Sequence, residues 1–322
     1  MTPTRREALQ STLGLLAAAA APSIFAQPAY PASPIRFVIS TPAGGGHDIM
    51  MRMIGVKLTE AWGQPSIVES KPGASGAIAS TYVARAQPDG YTLLTMHGAV
   101  LTNLVLQPNP GYKLTDLVPV CMLVLTPLAL GVRSSLGINT VQEYVARAKK
   151  QPGKLSYATY GQGSGAHFAG EQLNAAAGTD ILHIPYKGEA PALQDMLGDQ
   201  LDAVIVSLGG VSRYPGKIKP LAVASTTRST RYPDVPTFSE AGFPGVNMPG
   251  WGAIFAPAGT PKAVANKLSA ELNRIIMLPD VSAKMLELGF ESVAWGPEKL
   301  AAFMNEQMID IKKLVDSGRI KL

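Results

Sequence analysis

The chain holds a single cysteine, Cys121, and four histidines in 322 residues. One thiol excludes an internal disulfide framework, so the fold must be held by its apolar cores. Cys121 sits within "PVCMLVLTPLAL" and reads as a small, buried apolar side chain. His47, His97, His167 and His183 have no HExxH or CxxC around them and no pairing at helical spacing. That pattern predicts no metal site. Clustered charge is scarce as well. The net charge is +5, with lysines and arginines scattered rather than interleaved with aromatics, which predicts no nucleic-acid partner. Beyond the first residues, no apolar run approaches the roughly 20 residues a membrane-spanning helix needs.

What is present begins with an export signal. Arg5-Arg6 precede the apolar run Leu13 to Ala21, and the small residue Ala26 stands before "QPAYP". Residues 1–26 therefore read as a cleaved signal peptide that delivers the chain to the periplasm. The twin arginines leave both the general and the twin-arginine export routes open. Pro22 interrupts the apolar run, which argues against a retained anchor. The mature length, 322 − 26 = 296 residues, suffices for two medium domains.

Short strand-like runs alternate with helical ones. "IRFVIS" precedes "DIMMRMIGVKLTEAWG", "PSIVES" precedes "GAIASTYVARAQ", and "YTLLTM" follows. This is the rhythm of an α/β unit with a mostly parallel sheet. A second unit of the same kind runs from "TVQEYVARAKK" through "LSYATY", "HFAGEQLNAAAG", "ILHIPY" and "APALQDMLGD" to "LDAVIVS", and "KPLAVAS" completes it. Two helical stretches close the chain after a proline-rich passage. The parse is two lobes: 27–127 plus 249–322 for the first, 128–248 for the second.

Each lobe carries a glycine-rich strand-to-helix turn. In "STPAGGGHD", Pro42, Ala43, Gly44 and Gly45 leave backbone amides open to an anion at a helix entrance. No Lys-Ser or Lys-Thr follows, so it is not a Walker loop. Asp48 is expected to cap that helix and pair with Arg52. The second turn, Gly161-Gln162-Gly163-Ser164-Gly165-Ala166, fails as a nucleophile elbow because Gln162 and Ala166 replace the two required glycines. It fits the loose dinucleotide fingerprint, but Asp180 precedes the next strand instead of ending it. Anion capture by Gly161, Gly163, Ser164 and Gly165 remains, with His167 close by. His97-Gly98, Lys187 in "PYKG" and Ser207 also follow strands and are expected at the mouth of the cleft. Two other classes compete: an exported enzyme, as a Ser164/His167 hydrolase or a dinucleotide oxidoreductase, and a ligand-presenting sensor subunit.

The stretches "PIRFVISTPAGGGHDIMMR", "KPGASGAIASTYVARAQPDGYTLL", "SYATYGQGSGAHFAGEQL", "HIPYKGEAPALQDMLGDQLDA" and "WGAIFAPAGTP" together resemble the solute receptors of tripartite tricarboxylate transporters, the TctC or Bug family. The likeness runs in order along the whole mature chain. It implies a two-lobed type II periplasmic-binding-protein fold that closes on a small carboxylate and hands it to membrane transporter subunits. It implies no cofactor and no catalysis, and a monomer is expected. By the same resemblance the loop Pro42 to Asp48 and the turn Gly161 to His167 hold the ligand. His47, Met51 and "MHGAVLTNLVLQ" depart from the residues usual in that family.

Overall fold

The computed structural model describes residues 30–320, so the expected signal peptide lies outside the described residues. Ser33–Leu322 forms one unit. The chain opens with β1 (Ile35–Ile39), α1 (Gly46–Trp62), β2 (Ser66–Ser70), α2 (Ala77–Ala84), β3 (Thr92–His97), α3 (Ala99–Leu106) and β4 (Leu117–Thr126). It continues through β5 (Leu128–Arg133), α4 (Val141–Lys150), β6 (Ser156–Thr159), α5 (Gly165–Ala177), β7 (Leu182–Pro185), α6 (Glu189–Leu197), β8 (Ala203–Ser207), α7 (Leu208–Val211) and β9 (Ile218–Val223). It ends with β10 (Gly250–Pro257), α8 (Lys262–Ile276), α9 (Pro279–Glu287), β11 (Glu291–Trp295) and α10 (Pro297–Asp316).

Two sheets result. The first runs β11-β4-β10-β3-β1-β2 and the second β7-β6-β8-β5-β9. Both are mixed rather than mostly parallel. The βαβ rhythm gives the parallel trios β2-β1-β3 and β7-β6-β8. The other strands run against them, because β10 returns antiparallel between β3 and β4, and β5 lies antiparallel between β8 and β9. Only Pro127 separates β4 in the first sheet from β5 in the second. The chain re-enters the first sheet at Gly250, which pairs opposite Thr126, so the two crossings lie side by side.

Local chemistry sets the element ends. Gly63 and Gly178 close α1 and α5 in the left-handed conformation. Thr140 caps α4 by accepting from the Glu143 amide, and Pro279 and Pro297 open α9 and α10, where a missing N–H costs nothing. In β1 and β3, Phe37, Val38, Leu93, Leu94 and Met96 are all fully buried, so both faces of the first sheet are covered. Helices α8 and α10 pack on β4 and supply much of that cover. Cys121 is buried in β4, as its apolar setting predicts. Met50, Met51, Ile54 and Leu58 form the buried stripe of α1, and Ile49 and Val56 are exposed.

Candidate functional site

Strand ends and helix starts from both sheets meet around a cavity of about 460 Å³, a size suited to a small organic ligand. On the first-sheet side, β3 ends at His97 and Gly98 caps α3, so the helix entrance and its positive end border the cavity. His97 Nδ1 accepts from the Ala99 amide at 3.3 Å. His47, in the first turn of α1, lies with its ring centroid 5.9 Å from His97 and 5.1 Å from Phe290. Its Nε2 is buried without a hydrogen-bond partner among the described residues. The ring fits there because residue 252 is glycine; a Cβ at that position would stand 3.2 Å from His47 Nε2. Burial, and then the charge of His97, lower the His47 pKa to about 3, and burial lowers that of His97 to about 4. Both rings are therefore neutral at ordinary pH, and His47 has one nitrogen free for a ligand.

The second-sheet side is the turn between β6 and α5. Ser164 caps α5: its Oγ accepts from the His167 amide at 3.3 Å and donates to the Gly161 carbonyl at 2.6 Å. The Gly163 amide donates to His167 Nδ1 at 3.1 Å. His167 is 3% exposed and stacks on His183 at 3.8 Å, behind the turn. Thr159 Oγ1 joins His183 Nε2 at 2.8 Å. This stack fixes the turn from beneath. The Tyr160 hydroxyl meets the Ala166 amide, and burial pushes that phenol well above its ordinary pKa. Opposite, the Glu189 carboxylate takes the Ser207 amide at 3.0 Å and the Ser207 hydroxyl at 2.8 Å. Leu106, Leu128, Met248, Trp251 and Phe290 supply the apolar part of the lining.

Of the residues singled out in the sequence, His97, Gly98, Gly161, Gly163, Ser164, Gly165 and Ser207 line this cavity. Pro42, Ala43, Gly44 and Gly45 are exposed and lie outside the lining, where Thr41 and His47 stand in their place. The Gly44 amide is taken by Asp48 Oδ2 at 2.9 Å and that of Gly45 by the Pro42 carbonyl at 3.4 Å. Asp48 also pairs with Arg52 at 3.0 Å, and these contacts hold its pKa below the usual aspartate range. Lys187 is exposed and also outside the lining; Glu189, two residues on, points inward instead. His167 supports the turn from below rather than facing the cavity.

Several lining residues had no signal in the sequence. Ser75 reaches the cavity in a left-handed turn with φ 52°, held by Asn103 Nδ2, which donates to its carbonyl at 3.0 Å. Gln107 likewise donates to the Ala74 carbonyl at 3.3 Å. Tyr160, Trp251, Phe290 and Gln307 arrive from distant parts of the chain. Only the Ser75 loop carried a hint, in the glycines of "KPGASG". Among the described residues, no group of three or more His, Cys, Asp or Glu side chains could hold a metal, and no helix is long and apolar enough to cross a membrane.

Comparison with known proteins adds to this geometry. The family model described as tripartite tricarboxylate transporter family receptor matches residues 50–319. The chain is 36% identical over 311 residues to a UPF0065 protein of Bordetella bronchiseptica, covering 95% of this chain and 92% of that one. It matches the structure of the periplasmic binding protein BugD with a TM-score of 0.74 at 35% identity, over 91% of this chain and 99% of BugD. R. palustris Rpa4515, solved with adipate, matches with a TM-score of 0.78 at 29% identity, over 91% and 99% of the two chains. The two-lobed α/β architecture is that of periplasmic binding proteins.

Proposed function

Because the chain belongs to the tripartite tricarboxylate transporter receptor family, we propose that it is an exported, non-catalytic monomer that captures a small carboxylate between its lobes and delivers it to the membrane subunits of such a transporter. Cleavage after Ala26 releases it into the periplasm. The lobes are 27–127 with 249–322, and 128–248.

One observation carries the ligand class. The cavity is entered from opposite sides by the starts of α3 and α5, both of which present amides and the positive end of a helix, and among the described residues neither lysine nor arginine lines it. Such a site holds one anion by dipoles and neutral donors. The donors proposed are the Gly165 amide, the Gly98 amide, the Tyr160 hydroxyl and His47 Nε2. Rpa4515 holding adipate is in keeping with this reading.

The hydrolase alternative finds no support in the turn. Ser164 Oγ meets the backbone amide of His167, not its ring, whose Nδ1 is already taken by Gly163. A serine without a base in reach is not activated.

A thermal-shift panel of mono-, di- and tricarboxylates, with sugars and simple amines as controls, tests the reading. A ligand at about 100 times its Kd stabilises the native state by about 2.7 kcal/mol, worth about 5 °C for a chain of this size. At least one carboxylate should reach that shift. A panel in which only sugars or carboxylate-free amines do so contradicts it.

A further inference from the structure

We propose that Glu189 makes this receptor select a carboxylate that also carries an ammonium group and discriminate against the matching dicarboxylate. The inference deepens the carboxylate-receptor reading and rests on it.

Among the described residues lining the cavity, Glu189 is the one charged side chain. Both of its oxygens are engaged by Ser207, Oε2 by the amide at 3.0 Å and Oε1 by the hydroxyl at 2.8 Å. An amide and a hydroxyl at the end of a strand are a natural seat for a ligand carboxylate. Here the protein's own carboxylate already sits in it. The seat is built for that side chain: a Cβ at Gly210 would fall 2.0 Å from Glu189 Oε1, so only glycine leaves it room.

The consequence is electrostatic. Two neutral donors orient the Glu189 charge but do not neutralise it. The other polar groups around the cavity do not neutralise it either: the His47 and His97 rings are uncharged and the Tyr160 phenol keeps its proton. The helix starts on the remaining walls can hold one carboxylate. A second one would meet Glu189 as a like charge, with the Ser207 donors already spent. An ammonium fits instead, because each ionised carboxyl oxygen keeps accepting capacity beyond its bond to Ser207, and opposite charges in a partly dry cleft attract strongly. Glu189 is also the first residue of α6, where an acid favours the helix dipole whatever the ligand. A purely structural role of that kind would leave ligand preference untouched.

Titration calorimetry near pH 7.5 with two matched sets separates these cases: 4-aminobutanoate, butanoate and succinate, and 6-aminohexanoate, hexanoate and adipate. In the unmodified protein, an amino acid should bind at least about tenfold tighter than its matching diacid. Glu189→Gln keeps the shape and removes the charge, and should reduce that ratio by about tenfold or more. Glu189→Ala, with its fold checked by circular dichroism, vacates the Ser207 donors and should improve diacid binding. A diacid preferred by the unmodified protein, or a ratio unchanged in Glu189→Gln, overturns this inference while leaving the receptor reading intact. Absence of binding by every carboxylate in both sets overturns the two together.

Discussion

Gly163→Val is expected to weaken carboxylate binding by about 10- to 100-fold while the chain still folds. Two features of one residue produce this. Gly163 has φ +68°, a conformation that a β-branched residue adopts only under strain, at about 1–2 kcal/mol. Its missing side chain also makes room for the other lobe, since a Cβ there would lie 2.7 Å from Leu106 Cδ1 at the end of α3. Forcing extra atoms into a packed contact costs about 1–3 kcal/mol, and each 1.4 kcal/mol is a factor of ten in affinity. The turn and α3 bear on each other across the cavity, so the added atoms hold the two walls apart, and their cost grows if the walls draw together on a ligand. Ser164→Ala is the control. It removes the α5 cap, worth about 1 kcal/mol of stability, but no donor that the turn leaves for a ligand. Calorimetry on both variants checks the pair, and wild-type affinity in Gly163→Val would remove the turn from the site.

The free protein should lose stability steeply between about pH 6.5 and pH 4. Burial lowers the pKa of His167 to about 4, and burial followed by the charge of His167 lowers that of His183 to about 3, so these two join His47 and His97 as neutral native histidines. In the unfolded chain each titrates near its ordinary 6.5. Below that value the unfolded state binds protons that the native state refuses, so stability falls as pH falls. The loss approaches about 1.4 kcal/mol per pH unit for each histidine, until the native rings titrate. Four such groups compete with a total stability of about 5–15 kcal/mol. Asp48, held low by Arg52 and the Gly44 amide, adds its loss only at lower pH, below the aspartate range. Urea midpoints from pH 7.5 to 4.5 measure this, and His183→Gln should flatten the slope by about one proton. A midpoint constant from pH 7 to pH 5 would show that the rings are not buried as neutral groups.

The glycine signals in the sequence were signals of backbone geometry, and they were legible as such. Gly163, Ser164 and Gly165 do form a strand-to-helix turn at the cavity, because φ above zero and a serine cap leave a local trace. What those groups donate to was not legible. The Gly163 amide and the Ser164 hydroxyl go to His167 and Gly161, through contacts that only the folded turn creates. The same holds for Gly44 and Gly45, whose exposed turn closes on Asp48 and Pro42. Asp48 with Arg52 was readable because both lie four residues apart on one helix. Glu189 gave no sign, since its partner Ser207 and the gap at Gly210 come from a neighbouring strand and the helix after it. Strand direction was only half legible: the βαβ trios have a local rhythm, whereas β10 finds β3 and β4 from more than a hundred residues away.

Capture of a carboxylate between two lobes changes the shape of the molecule, which small-angle scattering over a titration with a carboxylate that raises the melting temperature measures. The proposed hinge is the pair of crossings at Thr126-Pro127 and Pro249-Gly250, where a few residues absorb the rotation and each sheet moves as a body. Closure of this kind would expel water and strengthen the hydrogen bonds from both helix entrances. The radius of gyration should fall as the carboxylate saturates the protein, with a midpoint matching the calorimetric Kd. A radius that stays constant through saturation by a tightly bound carboxylate would contradict it.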